Sequence, residues 1–111
     1  MTTVQASCKC QHPPFYFGDY DTVECGDDPR GAEVSLSTCR RCGVVWLTYL
    51  IEEPHRSRAG RWWRVEVAPE NRAQVSAVSA KEFIERQPSG YAGGSFFNSS
   101  GHAIIAPIHI A

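Results

Sequence analysis

Residues 37–43 read Ser37-Thr38-Cys39-Arg40-Arg41-Cys42-Gly43, and residues 8–12 read Cys8-Lys9-Cys10-Gln11-His12. In a C-x-x-C-G turn both sulfurs can face one ion. The intervening backbone N–H groups can donate to the sulfurs, and the glycine lets the chain turn with positive φ. A thioredoxin-like redox pair would sit between a strand and a helix, whereas here strand-like sequence lies on both sides. The first cluster is less regular. In an extended strand Cys8, Cys10 and His12 lean to the same side, but residues 8 and 12 are then roughly 13 Å apart, too far for one ion. Cys10 is therefore joined either by Cys8 or by His12. The expected site is a closed, structural Zn2+ centre of Cys8, Cys10, Cys39 and Cys42, with His12 as the alternate fourth ligand. Cys25, in a loop-like acidic stretch, is the spare thiol.

Composition supports the metal reading. Five cysteines in a chain of 111 residues whose first residues carry neither a basic leader nor an apolar run suggest a cytoplasmic address, where thiols stay reduced and disulfides are rare. Hydrophobic residues at 42% and charged residues at 21% are ordinary for one globular domain, so residues 1–111 are read as a single domain. No apolar run reaches the length of a membrane-spanning helix. The net charge of −1 excludes a strong overall pull toward nucleic acid or anionic lipid.

Outward from the cysteines, "HPPFYF" (12–17) is expected to be extended and "GDYDTVECGDDPRG" (18–31) to be a solvated loop. "AEVSLST" (32–38) alternates as a strand, and "VVWLTYLIEE" (44–53) is apolar on both faces, as a central strand would be. "RWWRVEV" (61–67) is a further strand, with Trp63, Val65 and Val67 on one face and Trp62, Arg64 and Glu66 on the other. A capping box of Ser79 and Glu82, with Val78 and Phe83 as a hydrophobic staple, predicts a short helix ended by Pro88 and Gly90. The tail reads as two short strands about a Ser100-Gly101 turn, with Pro107 keeping the last at a sheet edge. The fold class expected is α+β, mainly β: an antiparallel sheet with one short helix.

On Cys8, Cys10, Cys39, Cys42 and Gly43, residues 8 to about 53 resemble the zinc-ribbon family, in which metal-binding turns of two successive hairpins clasp one ion. The first cluster departs from the family's C-x-x-C. The "GRWWR" (60–64) and "YAGGSFF" (91–97) segments are similar to those of small bacterial proteins carrying such a ribbon, a likeness that implies no activity.

No nucleophile elbow, H-E-x-x-H motif or phosphate-binding glycine loop is present, so no enzymatic activity is expected. Arg56, Arg58, Arg61 and Arg64 with Trp62 form a basic-aromatic stretch of the kind that holds single-stranded nucleic acid through phosphate contacts and base stacking. Glu52, Glu53, Glu66 and the acids of residues 15–34 can neutralise it. The function expected is a structural-zinc adaptor that recognises a protein partner through these residues. A nucleic-acid-binding ribbon is the alternative, and a thiol redox or zinc enzyme stands third.

Overall fold

Alternation decides the architecture, because one set of apolar side chains on each strand must share a single sheet face. The computed structural model describes residues 8–51, 60–94 and 101–110. Among these, six strands form one sheet in chain order, each antiparallel to the next: β1 (Tyr20–Asp27), β2 (Glu33–Cys39), β3 (Val45–Ile51), β4 (Arg61–Val67), β5 (Ser89–Gly93) and β6 (His102–Ile105). One short helix, α1 (Ala80–Glu85), accompanies them with a few short 3-10 turns. The fold is α+β, mainly β.

The main core lies on one face of this meander. Val34, Leu36, Val45, Leu47, Tyr49, Trp63, Val65 and Val67 point into it, and Ala80 and Ile84 of α1 with Ile108 and Ile110 of the tail cover it. Glu85 ties tail to helix by accepting the Ile110 amide at 2.9 Å. A second, smaller cluster occupies one end of the opposite face, where Cys10, Tyr20, Cys39 and Trp46 are buried together with Phe15 and Tyr91 against them.

Three local expectations are corrected. The stretch 18–31 is not a loop throughout, because Tyr20–Asp27 pairs with β2 along its length. Its glycine and acids fit a strand because the register shifts between Glu24 and Gly26, where a φ of 100° at Gly26 accommodates a bulge. Ser79 stands at the helix start but makes no cap hydrogen bond. Its hydroxyl instead donates to the Gln74 carbonyl and accepts from the Ser76 amide, both at 3.0 Å. Glu82, the other half of the expected box, pairs with Arg86 at 3.1 Å. Val78 is 77% exposed, so no staple forms, and α1 stops at Glu85, before Pro88.

The β1–β2 turn holds the main buried charge of the core side. Asp28 accepts the amides of Arg30 at 2.9 Å and Ala32 at 2.8 Å, and the hydroxyl of the fully buried Tyr49 donates to its second oxygen. Burial pushes the Asp28 carboxyl up, but these donors outweigh it and leave it below the ordinary carboxylate value. Burial, then the neighbouring carboxylate, pushes Tyr49 up to about 12.

Because the folded-state pKa of Asp28 is depressed, its contribution is present above the unfolded carboxyl pKa of about 3.9 and is lost as pH falls through the folded value. Asp28→Ala should therefore cost roughly 2 to 4 kcal/mol at neutral pH by stranding the Tyr49 hydroxyl. Urea midpoints should separate the variant from the parent at pH 7 and converge under acid conditions. Parallel loss in both proteins would show that Asp28 carries no such linkage.

Candidate metal centre

The second cysteine pair is shaped by the β2–β3 hairpin. β2 ends at Cys39, the Cys39 amide donates to the Val44 carbonyl at 2.8 Å, and the Gly43 amide donates to the Cys39 carbonyl at 2.9 Å. Gly43 adopts a φ of 81°, the left-handed turn that a glycine after the second thiol permits. The backbone amides of Arg41 and Cys42 act on the Cys39 sulfur, and that of Val44 on the Cys42 sulfur.

The first pair is not on a straight strand. Residues Lys9–Gln11 form a 3-10 turn, closed by the Gln11 amide donating to the Cys8 carbonyl at 2.9 Å. That turn changes which side chains converge: Cys8 and Cys10 both face the hairpin, whereas His12 is exposed and lies outside the group. Three ties seat the turn. The Tyr91 hydroxyl of β5 donates to the Gln11 carbonyl, Lys9 pairs with Asp19 at 3.4 Å, and the Arg40 amide of the knuckle donates to the Asp19 carbonyl at 3.0 Å.

The sulfurs of Cys8, Cys10, Cys39 and Cys42 lie within 4.8 Å of one another, with Cys8 to Cys39 at 3.8 Å and Cys10 to Cys42 at 3.4 Å. All are free thiols. Zinc–sulfur bonds of about 2.3 Å in a tetrahedron place sulfurs about 3.8 Å apart, so the four-sulfur set fits such an ion with small adjustments.

Two further observations favour a cation at this point. Burial pushes the Cys10 thiol far up, while backbone amides outweigh burial at Cys39 and bring it down to about 7. Four touching sulfurs cannot all ionise against one another unless a cation takes up the charge. Among the described residues, Trp46 Nε1 is buried with no partner at ordinary hydrogen-bond geometry, and Cys10 is the group its indole N–H faces, opposing the burial effect there. A thiolate at Cys10 is the acceptor this donor lacks, as outer-shell donors commonly serve ligating sulfurs.

Cys25 is elsewhere, half-buried at the β1 bulge against the main core. Arg56 and Arg58 lie outside the described residues. The remaining members of the basic-aromatic stretch do not form an open surface. Trp62 is 3% and Arg64 6% exposed, because strand alternation turns both onto the second face beneath Phe15. Arg61 is half-buried, and Arg40 pairs with Asp21 at 2.9 Å. The Arg64 guanidinium is stacked among Phe15 at 4.0 Å, Tyr20 at 4.7 Å and Trp46 at 4.7 Å. Burial lowers its pKa, while Tyr20, Cys10 and Cys39 pull the other way. The role of Arg64 beside the sulfurs was not legible from sequence, where its only signal is an arginine on the second face of an otherwise apolar strand.

No family model, no curated protein and no solved structure matches this chain. The ribbon-like expectation therefore rests on the cysteines alone. Of its two hairpin turns the fold supplies one, between β2 and β3; the other pair comes from the 3-10 turn ahead of β1.

Purified protein should carry one zinc per chain, and chelation should loosen the N-terminal turn and the β2–β3 hairpin, since zinc binding of about 10 to 16 kcal/mol rivals the whole stability of a small domain. Cys42→Ser should abolish stoichiometric metal and solubility, while Cys25→Ser should leave both nearly unchanged. Elemental analysis with thermal denaturation reads both effects, and equal damage from the two substitutions would place Cys25 among the ligands.

Proposed function

We propose that this chain is a structural-zinc adaptor module that recognises a protein partner and carries out no chemistry of its own. The four converging sulfurs carry this reading: four protein ligands complete a tetrahedral shell and leave no coordination position for water or substrate. In this arrangement Cys8 and Cys10 hold the N-terminal turn, Cys39 and Cys42 hold the hairpin, and the ion supplies folding energy in place of catalysis.

Recognition of protein is supported by what stands beside the clasp. Tyr16 is 59% and Phe17 80% exposed on the segment that leaves the metal-binding turn. Aromatic residues at the surface are typical anchors of protein interfaces. The nucleic-acid reading asks for accessible arginines and a stacking indole, and among the described members of that stretch Trp62 and Arg64 are buried.

A photo-crosslinking amino acid at Phe17 tests the choice. The expected product in cell extract is a discrete protein adduct, reduced when the metal is stripped. Association should respond weakly to salt, unlike a phosphate-bound strand, which loses affinity at a slope of about −0.7 per contact. A nuclease-sensitive adduct with steep salt dependence would overturn the reading.

A further inference from the structure

The second sheet face carries a cleft of about 530 Å3 walled by the segment from Pro14 to Phe17, and Arg64 stands at its β4 end. The guanidinium itself is sealed from solvent. Arg64 is 6% exposed, and among the described residues its Nε and Nη2 are buried without a hydrogen-bond partner. Phe15 at 4.0 Å, Tyr20 at 4.7 Å and Trp46 at 4.7 Å surround it. A sealed cation is answered neither by water nor by a molecule in the cleft, so whatever offsets its lost hydration lies inside the protein.

The carboxylates within the described residues are poor candidates. Asp28 is buried on the main core side, where Tyr49 and the amides of Arg30 and Ala32 engage it. Asp19 and Asp21, near the knuckle, pair with Lys9 and Arg40. The sulfurs remain. Tyr20 and Trp46, two of the rings around the guanidinium, are buried in one cluster with Cys10 and Cys39, and charge on these two cysteines favours the charged arginine.

The need runs in both directions. Four thiols that release their protons to a divalent ion leave the cluster with about two net negative charges. Inside a protein such an excess is poorly screened. Lys9 and Arg40 already face carboxylates, and Arg64 is the buried cation among the described residues.

We propose that Arg64 is the counter-charge of the metal centre, a guanidinium fixed by three aromatic rings so that its positive charge offsets the excess negative charge of the four-thiolate site. This rests on the zinc reading of the sulfurs and makes Arg64 a positioning residue for it. The coupling is reciprocal: a loaded site favours a packed, charged Arg64 by the same factor as Arg64 favours the loaded site. Phe15 lies over the guanidinium, so metal occupancy also sets the segment that presents Tyr16 and Phe17.

The test is the zinc affinity of the full-length protein, measured by competition with a chromophoric chelator, together with the thiolate-to-metal charge-transfer band of the cobalt-substituted form. Arg64→Met, which keeps an apolar stem and loses the charge, should weaken zinc binding about 10- to 100-fold, the usual size of outer-shell effects. The cobalt band should move to lower energy, because thiolates without a neighbouring cation give up electron density more readily. Arg64→Lys should restore most of the affinity and the band position. A packing role alone predicts the reverse order, since a thioether fills an aromatic box at least as well as an ammonium. Unchanged affinity and band position in Arg64→Met would overturn the proposal. Should that variant not fold, Cys8→His varies the charge from the other side, because zinc accepts three thiolates and an imidazole with one negative charge fewer. In that background Arg64→Met should fold and cost fewer-fold in affinity, and equal damage in both backgrounds would show that zinc does not respond to the arginine's charge. A parent protein without metal would sink the zinc reading itself, whereas an Arg64→Met protein of parental affinity would sink this proposal alone.

Discussion

Convergence of four sulfurs is the constraint on which the second face of the sheet depends. The segment ahead of β1 pairs with no strand of the described sheet, and the 3-10 turn at Lys9–Gln11 is too short to persist alone. It is held where the knuckle is, by Cys8 against Cys39 and Cys10 against Cys42. The chain that follows must then cross the sheet face, which is how Phe15 arrives over Arg64 and within 5.2 Å of the Tyr91 ring. Metal site, aromatic cluster and cleft wall are therefore one unit.

The two faces of the sheet are stabilised by different means. On the α1 side the ordinary burial of aliphatic and aromatic side chains suffices, helped by the Asp28–Tyr49 contact that fixes the β1–β2 turn. On the other side the buried set contains thiols, a guanidinium and an indole, groups that lose hydration and need specific partners in return. Such a face holds together only when its charges are balanced, and the groups that can balance it are local: four cysteines placed to hold a cation, and Arg64, within one cluster. This is why the metal-binding residues and the buried arginine belong to the same physical account.

How much of this was legible in the sequence follows from how local each signal is. The Cys39–Gly43 turn was readable because its geometry is set by five consecutive residues. β4 was readable because Trp63, Val65 and Val67 alternate without interruption. β1 was not, since Asp21, Glu24, Gly26 and Asp27 mimic a loop, and only its pairing with β2 makes it a strand. The capping box failed because a nearer partner, Ser76, engages Ser79. His12 and Cys8 were indistinguishable as ligands until the backbone between them was known to turn. The burial of Trp62 and Arg64 was hidden for a related reason: alternation says which face they take, but not that Phe15, 47 positions before Trp62, will lie on that face.

The meander order has a consequence at its two ends. Among the described residues the strands follow one another without closing, which leaves β1 and β6 as the two edges of the sheet, and such edges are the usual seeds of edge-to-edge aggregation. Each margin here is blunted in its own way. β1 carries acidic side chains at Asp21, Glu24 and Asp27 and a bulge at Gly26 that breaks its regular pleat. β6 is only four residues long and is followed by Pro107, which has no amide to offer a passing strand. The acids that disguise β1 as a loop in the sequence are thus the kind of side chain that makes an edge strand a poor template for another chain.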